Sequence, residues 1–128
     1  MLAAASGNET LNAAGSAGND TLYGGSGADV VSLGSGADIF LAGSGTAGIT
    51  AGSGSAMFDF VSGAGGSVTI SGFDAGKDQI GLFGYGSDAA ANALQSASVS
   101  GSNTLIKLSD GTQITLVGVT GLHANAFA

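Results

Sequence analysis

GSAGNDTLY (Gly15–Tyr23), GGSGADVVS (Gly24–Ser32), LGSGADIFL (Leu33–Leu41), AGSGTAGIT (Ala42–Thr50) and AGSGSAMFD (Ala51–Asp59) are five consecutive nonapeptides that repeat without a slip. Two columns never fail. The fourth position is Gly18, Gly27, Gly36, Gly45 and Gly54, and the eighth is Leu22, Val31, Phe40, Ile49 and Phe58. The sixth position is Asp20, Asp29 and Asp38, then lapses to Ala47 and Ala56. A fixed short period is the mark of a solenoid. Each unit supplies a glycine-rich turn, which needs positive φ or close backbone approach, followed by a short strand with one side chain pointing inward. Two units make one coil. Stacked coils place Leu22, Phe40 and Phe58 in one apolar ladder, with Val31 and Ile49 in the facing one.

The same stacking gathers carboxylates. Asp20 and Asp38 are eighteen residues apart, so they fall in neighbouring turns on one side of the coil. Two unscreened carboxylates there would repel, and a hard cation between the turns removes the repulsion. Calcium accepts six to eight oxygens at about 2.3–2.6 Å, backbone carbonyls among them, and glycine-rich turns expose carbonyls at low steric cost. The candidate ligands are therefore Asp20, Asp29 and Asp38, with the turns at Gly18, Gly27 and Gly36. Gly7-Asn8-Glu9-Thr10-Leu11 copies Gly18-Asn19-Asp20-Thr21-Leu22 at a spacing of eleven, so it is a degenerate repeat in which Glu9 meets Asp29. An isolated Asp in a Gly/Ser turn usually caps its own backbone. Three at one phase of a strict period point to the metal.

These residues resemble the RTX calcium-binding nonapeptide, G-G-x-G-x-D-x-U-x. Gly24 to Ser32 matches it at every specified position. Ser16 replaces the second glycine of the first repeat, and Leu33 the first glycine of the third. The resemblance implies an all-β fold, a parallel β-roll with calcium between its turns. It also implies a bacterial protein exported by a type I system through an uncleaved C-terminal signal, folding outside the cell.

Composition bounds the rest. The 128 residues include 25 glycines, no proline and no cysteine. So much glycine raises the entropy lost on folding, and calcium is the candidate for tying the turns together. The net charge is −7, with Lys77 and Lys107 the only basic side chains apart from His123. Nucleic-acid binding needs several cations on one face and is excluded, and anionic membranes are disfavoured for the same reason. No apolar run is long enough for a transmembrane helix, and the N-terminus lacks the basic segment of a cleaved signal peptide.

Residues 1–14 read as a degenerate first coil, and residues 15–59 as the regular roll, so that 1–59 forms one region. After Phe58 the nine-residue phase breaks. Residues 60–128 read as a β-rich cap. Strands are expected at 67–71, 79–83, 104–108 and 113–117, with a further short one at Val99. A short helix is expected over 88–96, with Asp88 as its cap and Leu94 packing inward. Ser109-Asp110-Gly111 reads as a hairpin turn. Ile70 to Leu82 is similar to the strand–turn–strand that follows the repeats in RTX exoproteins. Thr104 to Leu122 with its Ala/Phe terminus is similar to the end of their type I secretion regions.

Two other features carry less. Asp74 and Asp78 are spaced carboxylates in a turn that could bind a further cation, but the favoured reading is a solvated turn with Asp78 paired to Lys77 or a backbone N–H. Asp59 is placed at the end of the roll, where it could lend a carboxylate. His123 is the only histidine, and no nucleophile elbow accompanies it, so no enzyme is expected. With the repeats and the tail spanning the chain, the expected role is structural: a secreted, calcium-binding subunit assembling head to tail into a fibre, surface layer or biofilm matrix. The alternatives are a small secreted toxin or bacteriocin-like effector, and a detached export module of a larger exoprotein.

Overall fold

The computed structural model describes residues 1–128, and its chain winds between two sheets. The strands are β1 (Leu2–Ala3), β2 (Thr10–Asn12), β3 (Thr21–Tyr23), β4 (Ala28–Ser32), β5 (Asp38–Leu41), β6 (Thr46–Thr50), β7 (Ala56–Val61), β8 (Ser67–Ser71) and β9 (Gln79–Phe83). Helix α1 (Ala89–Ser96) follows, then β10 (Ser98–Ser100), β11 (Asn103–Lys107), β12 (Gln113–Val117) and a 3-10 turn at Ala124–Ala126. The odd strands up to β9 form a five-stranded sheet in the order β1-β3-β5-β7-β9, and the remaining strands a seven-stranded sheet, β10-β11-β12-β8-β6-β4-β2. All pairings from β1 to β9 are parallel. This is a parallel β-roll.

The eighth-position residues make the two expected ladders. Leu22 pairs with Phe40, Phe40 with Phe58, and Phe58 with Ile80. On the facing sheet Leu11, Val31, Ile49 and Ile70 follow one another. Apart from Leu11 at 5%, none of these side chains is more than 2% exposed. Burying each contributes roughly 1.5–3 kcal/mol, which offsets the backbone entropy of so glycine-rich a chain.

The fourth-position column is explained by close approach. A side chain on Gly36 would collide with the carbonyl oxygen of Gly18, and one on Gly54 with that of Gly36. Of the five column glycines only Gly27 has positive φ. At Gly27, Gly36, Gly45 and Gly54 contact with the preceding stacked turn therefore demands glycine, whereas Gly18 has room for a side chain.

Parallel pairing runs on past Phe58 and across the expected boundary at residues 59 and 60. Strand β8 pairs with β6, aligning Val68 with Ala47 and Ile70 with Ile49, and β9 pairs with β7, aligning Gln79 with Met57. The residues between β7 and β9 thus add a coil with longer turns. Gly76, Asp78 and Ile80 take the fourth, sixth and eighth places of another repeat, displaced by four residues from the nine-residue phase. Gly66, Val68 and Ile70 do the same on the other sheet, displaced by three.

Beyond β9 the chain closes the roll. Strand β12 adds to β8 in parallel and β11 to β12 antiparallel, which puts Ile106, Ile114 and Leu116 into the core fully buried. Gly111 in the connecting turn has φ +91°, a conformation open to glycine. Helix α1 begins at Ala89; Asp88 precedes it without a side-chain capping bond, and Ala93 rather than Leu94 is the buried residue. At the terminus Phe127 is buried against the free edge of β9, where Ala128 donates its N–H to Ile80 O at 2.9 Å.

Asp110 ties this cap to the roll. Its carboxylate accepts Gly63 N–H at 2.8 Å, Tyr85 O–H at 2.9 Å and Thr112 N–H at 3.0 Å. Partial burial pushes its pKa up, but hydrogen bonds from Thr112, Gly63 and Tyr85 outweigh that and lower it to about 2. A carboxylate depressed in the fold contributes stability above its unfolded pKa and loses it as pH falls through the folded value. The wild type is expected to lose more stability between about pH 4 and about pH 2 than Asp110→Asn, as read by thermal melts across that range. Equal losses would remove Asp110 as the acid-sensitive tie.

Candidate metal centre

The sixth-position carboxylates reach backwards across the coil boundary. Asp38 Oδ1 accepts the N–H of Asp20 at 2.9 Å, and its Oδ2 accepts that of Gly34 at 3.0 Å. Asp29 Oδ1 accepts the N–H of Glu9 at 3.1 Å, so Glu9 and Asp29 are stacked as Asp20 and Asp38 are. Asparagines before them reach forward: Asn19 Oδ1 takes Ala37 N–H at 2.8 Å, and Asn8 Oδ1 takes Ala28 N–H at 2.9 Å. Each boundary is thus locked in both directions by bonds between side chain and backbone. Asp29 thus caps the neighbouring coil, and Asp38 caps both the neighbouring coil and its own turn.

Three buried carboxylate oxygens have no hydrogen-bond partner: Glu9 Oε2, Asp20 Oδ2 and Asp59 Oδ1. Leaving such a group unpaired costs free energy, more for a charge than for a neutral atom. Two of the three lie on the stacked turns, one on each side of the roll. The remaining oxygens there are carbonyls. Turn positions two and four present the carbonyls of Ser16 and Gly18, then Gly34 and Gly36, toward the following turn, where an added Cβ on Gly34, Gly36, Gly52 or Gly54 would strike them. Those of Gly52 and Gly54 accept from Lys77 Nζ. No three His, Cys, Asp or Glu side chains converge anywhere, so any metal held here takes much of its shell from the backbone. An all-oxygen set of carboxylates and carbonyls suits a hard cation of calcium's kind. The residues fit the ion.

Asp20 and Asp38 also line a groove of about 410 Å³ that continues past Ser55 to Lys77. Asp78, fully buried, was not among the candidate ligands. Its Oδ1 accepts Ala56 N–H and its Oδ2 accepts Asp74 N–H, both at 2.9 Å. It stands to Ala56 as Asp38 stands to Asp20. Burial raises its pKa, and the hydrogen bonds and the Lys77 charge only partly oppose that. The G-x-D-x-U signature of Gly76 to Ile80 carried the signal, hidden by the change of spacing. Asp59 lies elsewhere: it is on β7, between Leu41 and Gly81 on the outer face of the five-stranded sheet, and burial raises its pKa. His123 is exposed just before the 3-10 turn.

A two-sheet parallel roll with glycine-lined, carboxylate-bearing turns defines a calcium-binding solenoid. Residues 4–40 match the family of the RTX calcium-binding nonapeptide repeat, in four copies, and the chain carries those repeats. The match takes in the degenerate repeat at Gly7–Leu11 and stops before the turns that lack aspartate. Among solved structures the chain resembles the AlgE6R3 subunit from the Azotobacter vinelandii mannuronan C5-epimerase. Identity is 25% and TM-score 0.67, with 96% of this chain and 78% of that one covered. It also resembles extracellular lipase LipA from Serratia marcescens in fold, at 21% identity and TM-score 0.60. That likeness covers 95% of this chain but spans only 19% of the lipase. No curated protein sequence matches. RTX repeats bind calcium and are typical of secreted proteins, and no helix here is long and apolar enough to cross a membrane.

Proposed function

We propose that the protein is a secreted, non-enzymatic structural module whose coils are set by calcium and whose strand edges join copies of itself head to tail into an extracellular fibre, surface layer or matrix. The ions sit between stacked turns, with Asp20 and Asp38 serving one side, Glu9 and Asp29 the other, and the turns at Gly18, Gly27 and Gly36 supplying carbonyls. Residues beyond β9 cap the roll, and residues 60–128 carry the type I export function.

The observation that carries the assembly reading is the asymmetry of the sheet edges. At one end β9 is covered by Phe127 and Ala128. At the other, β1 and β2 close neither sheet, and each presents an unpaired parallel edge. Unpaired edges recruit strands, and a contact between unlike ends propagates as a filament unless it closes into a ring. Exposed β10 provides a receiving edge on the seven-stranded sheet.

Electron microscopy of the purified protein, with circular dichroism, as calcium rises from zero to millimolar tests this. Calcium-dependent β-structure accompanied by filaments or sheets is expected. A calcium-folded monomer that persists at high concentration would overturn the assembly reading. It would favour a second one, an accessory module of a larger exoprotein, for which the coverage of nearly this whole chain by a repeat subunit of an epimerase speaks.

A further inference from the structure

Turn positions two and four offer a pair of carbonyls three times on one side of the roll. The first two pairs, Ser16 with Gly18 and Gly34 with Gly36, face turns whose sixth residue is Asp38 or, one coil on, Ala56. The third pair meets something different. Lys77 Nζ donates to Gly52 O at 3.0 Å and to Gly54 O at 2.9 Å, with its side chain half-buried. Lys77 immediately precedes Asp78, the carboxylate that locks onto the N–H of Ala56.

We propose that the Lys77 ammonium is a tethered cation that fills, between the turn of residues 51–56 and the turn of residues 73–78, the place calcium takes between the turns that carry Asp20 and Asp38. The inference rests on the calcium reading of those earlier turns. Charge accounts for the exchange. With alanine at position 56 in place of aspartate, one negative charge is gone, and a monovalent ammonium balances what remains where a divalent ion would overcharge it. Geometry accounts for the residue type. An ammonium is a compact point charge with three donors, able to bridge two carbonyls as a metal does, and its stem packs along the turn. The last coil on this side is therefore ordered without metal.

The test uses the full chain as wild type, Lys77→Met, and the double variant Ala56→Asp with Lys77→Met. Bound calcium is counted by equilibrium dialysis, and thermal melts are recorded in millimolar calcium. Lys77→Met is expected to lower the melting temperature by roughly 5–10 °C, since it leaves two carbonyls without their charged donor. The double variant is expected to bind one more calcium ion per chain than wild type and to regain the lost stability only when calcium is present. A Lys77→Met melt equal to wild type, or a double variant with wild-type stoichiometry, overturns the proposal. A wild-type protein that binds no calcium overturns it differently, by removing the reading it rests on, and dialysis of the wild type alone reveals that case.

Discussion

Replacing Asp20 and Asp38 together by alanine is expected to abolish calcium-induced folding at millimolar calcium, and the two single variants are expected to fail for different reasons. Asp20 Oδ2 is buried and has no hydrogen-bond partner, so its removal relieves a desolvated charge and takes nothing from the metal-free fold. Its cost falls on calcium alone, and the calcium midpoint followed by circular dichroism should rise by about tenfold or more, because affinity at such sites tracks the number of charged ligands. Asp38, only 2% exposed, does two jobs. Its oxygens hold the N–H groups of Asp20 and Gly34, and alanine would leave both donors stranded at about 1–3 kcal/mol each. Set against a total stability of about 5–15 kcal/mol, that loss is large. Asp38→Ala should therefore melt below wild type even in saturating calcium, where Asp20→Ala approaches it. An unchanged midpoint for Asp20→Ala would sink the assignment of the ligand.

Phe58→Ala should be the most damaging change in the core. The ring is fully buried in the ladder between Phe40 and Ile80, and it packs against Phe73 with ring centres 6.0 Å apart at a tilt of 47°. Truncating a buried phenylalanine typically costs about 3–5 kcal/mol, and stacked parallel strands have little freedom to collapse into the cavity. Urea denaturation in saturating calcium measures the loss. Val61→Ala on the same strand, 44% exposed and facing outward, is the control and should change stability by about 0.5 kcal/mol or less. Comparable effects from the two would mean that the ladder does not carry the stability of the roll.

Both predictions concern residues whose positions were legible as columns. Phe58 belongs to an apolar position that recurs every nine residues, and Asp20 and Asp38 to an acidic one, so the ladders, the pairing of coils and the stacking of Glu9 on Asp29 follow from counting. Strands at 67–71, 79–83 and 113–117 were legible from alternation, and the structure places them there. Their sheet partners were not. Once one turn lengthens by three residues and the next by one, the period no longer reports the register. Alternation is the same whether a strand extends a roll or begins a separate cap.

The repeat alone therefore specifies a parallel β-roll, its inward side chains and the acidic turns that suit calcium. Such features depend on a residue and its neighbours one coil away, and a constant spacing makes that neighbour calculable. It takes the folded chain to show that Asp78 continues the acidic column, that Asp59 lies on an outer sheet face, that Phe127 covers the edge of β9, and that Lys77 reaches the carbonyls of Gly52 and Gly54. Each of these joins residues across an insertion or at a distance no repeat prescribes. Which carbonyl meets which cation depends on where a turn of irregular length comes to rest, and the packing of the whole roll sets that.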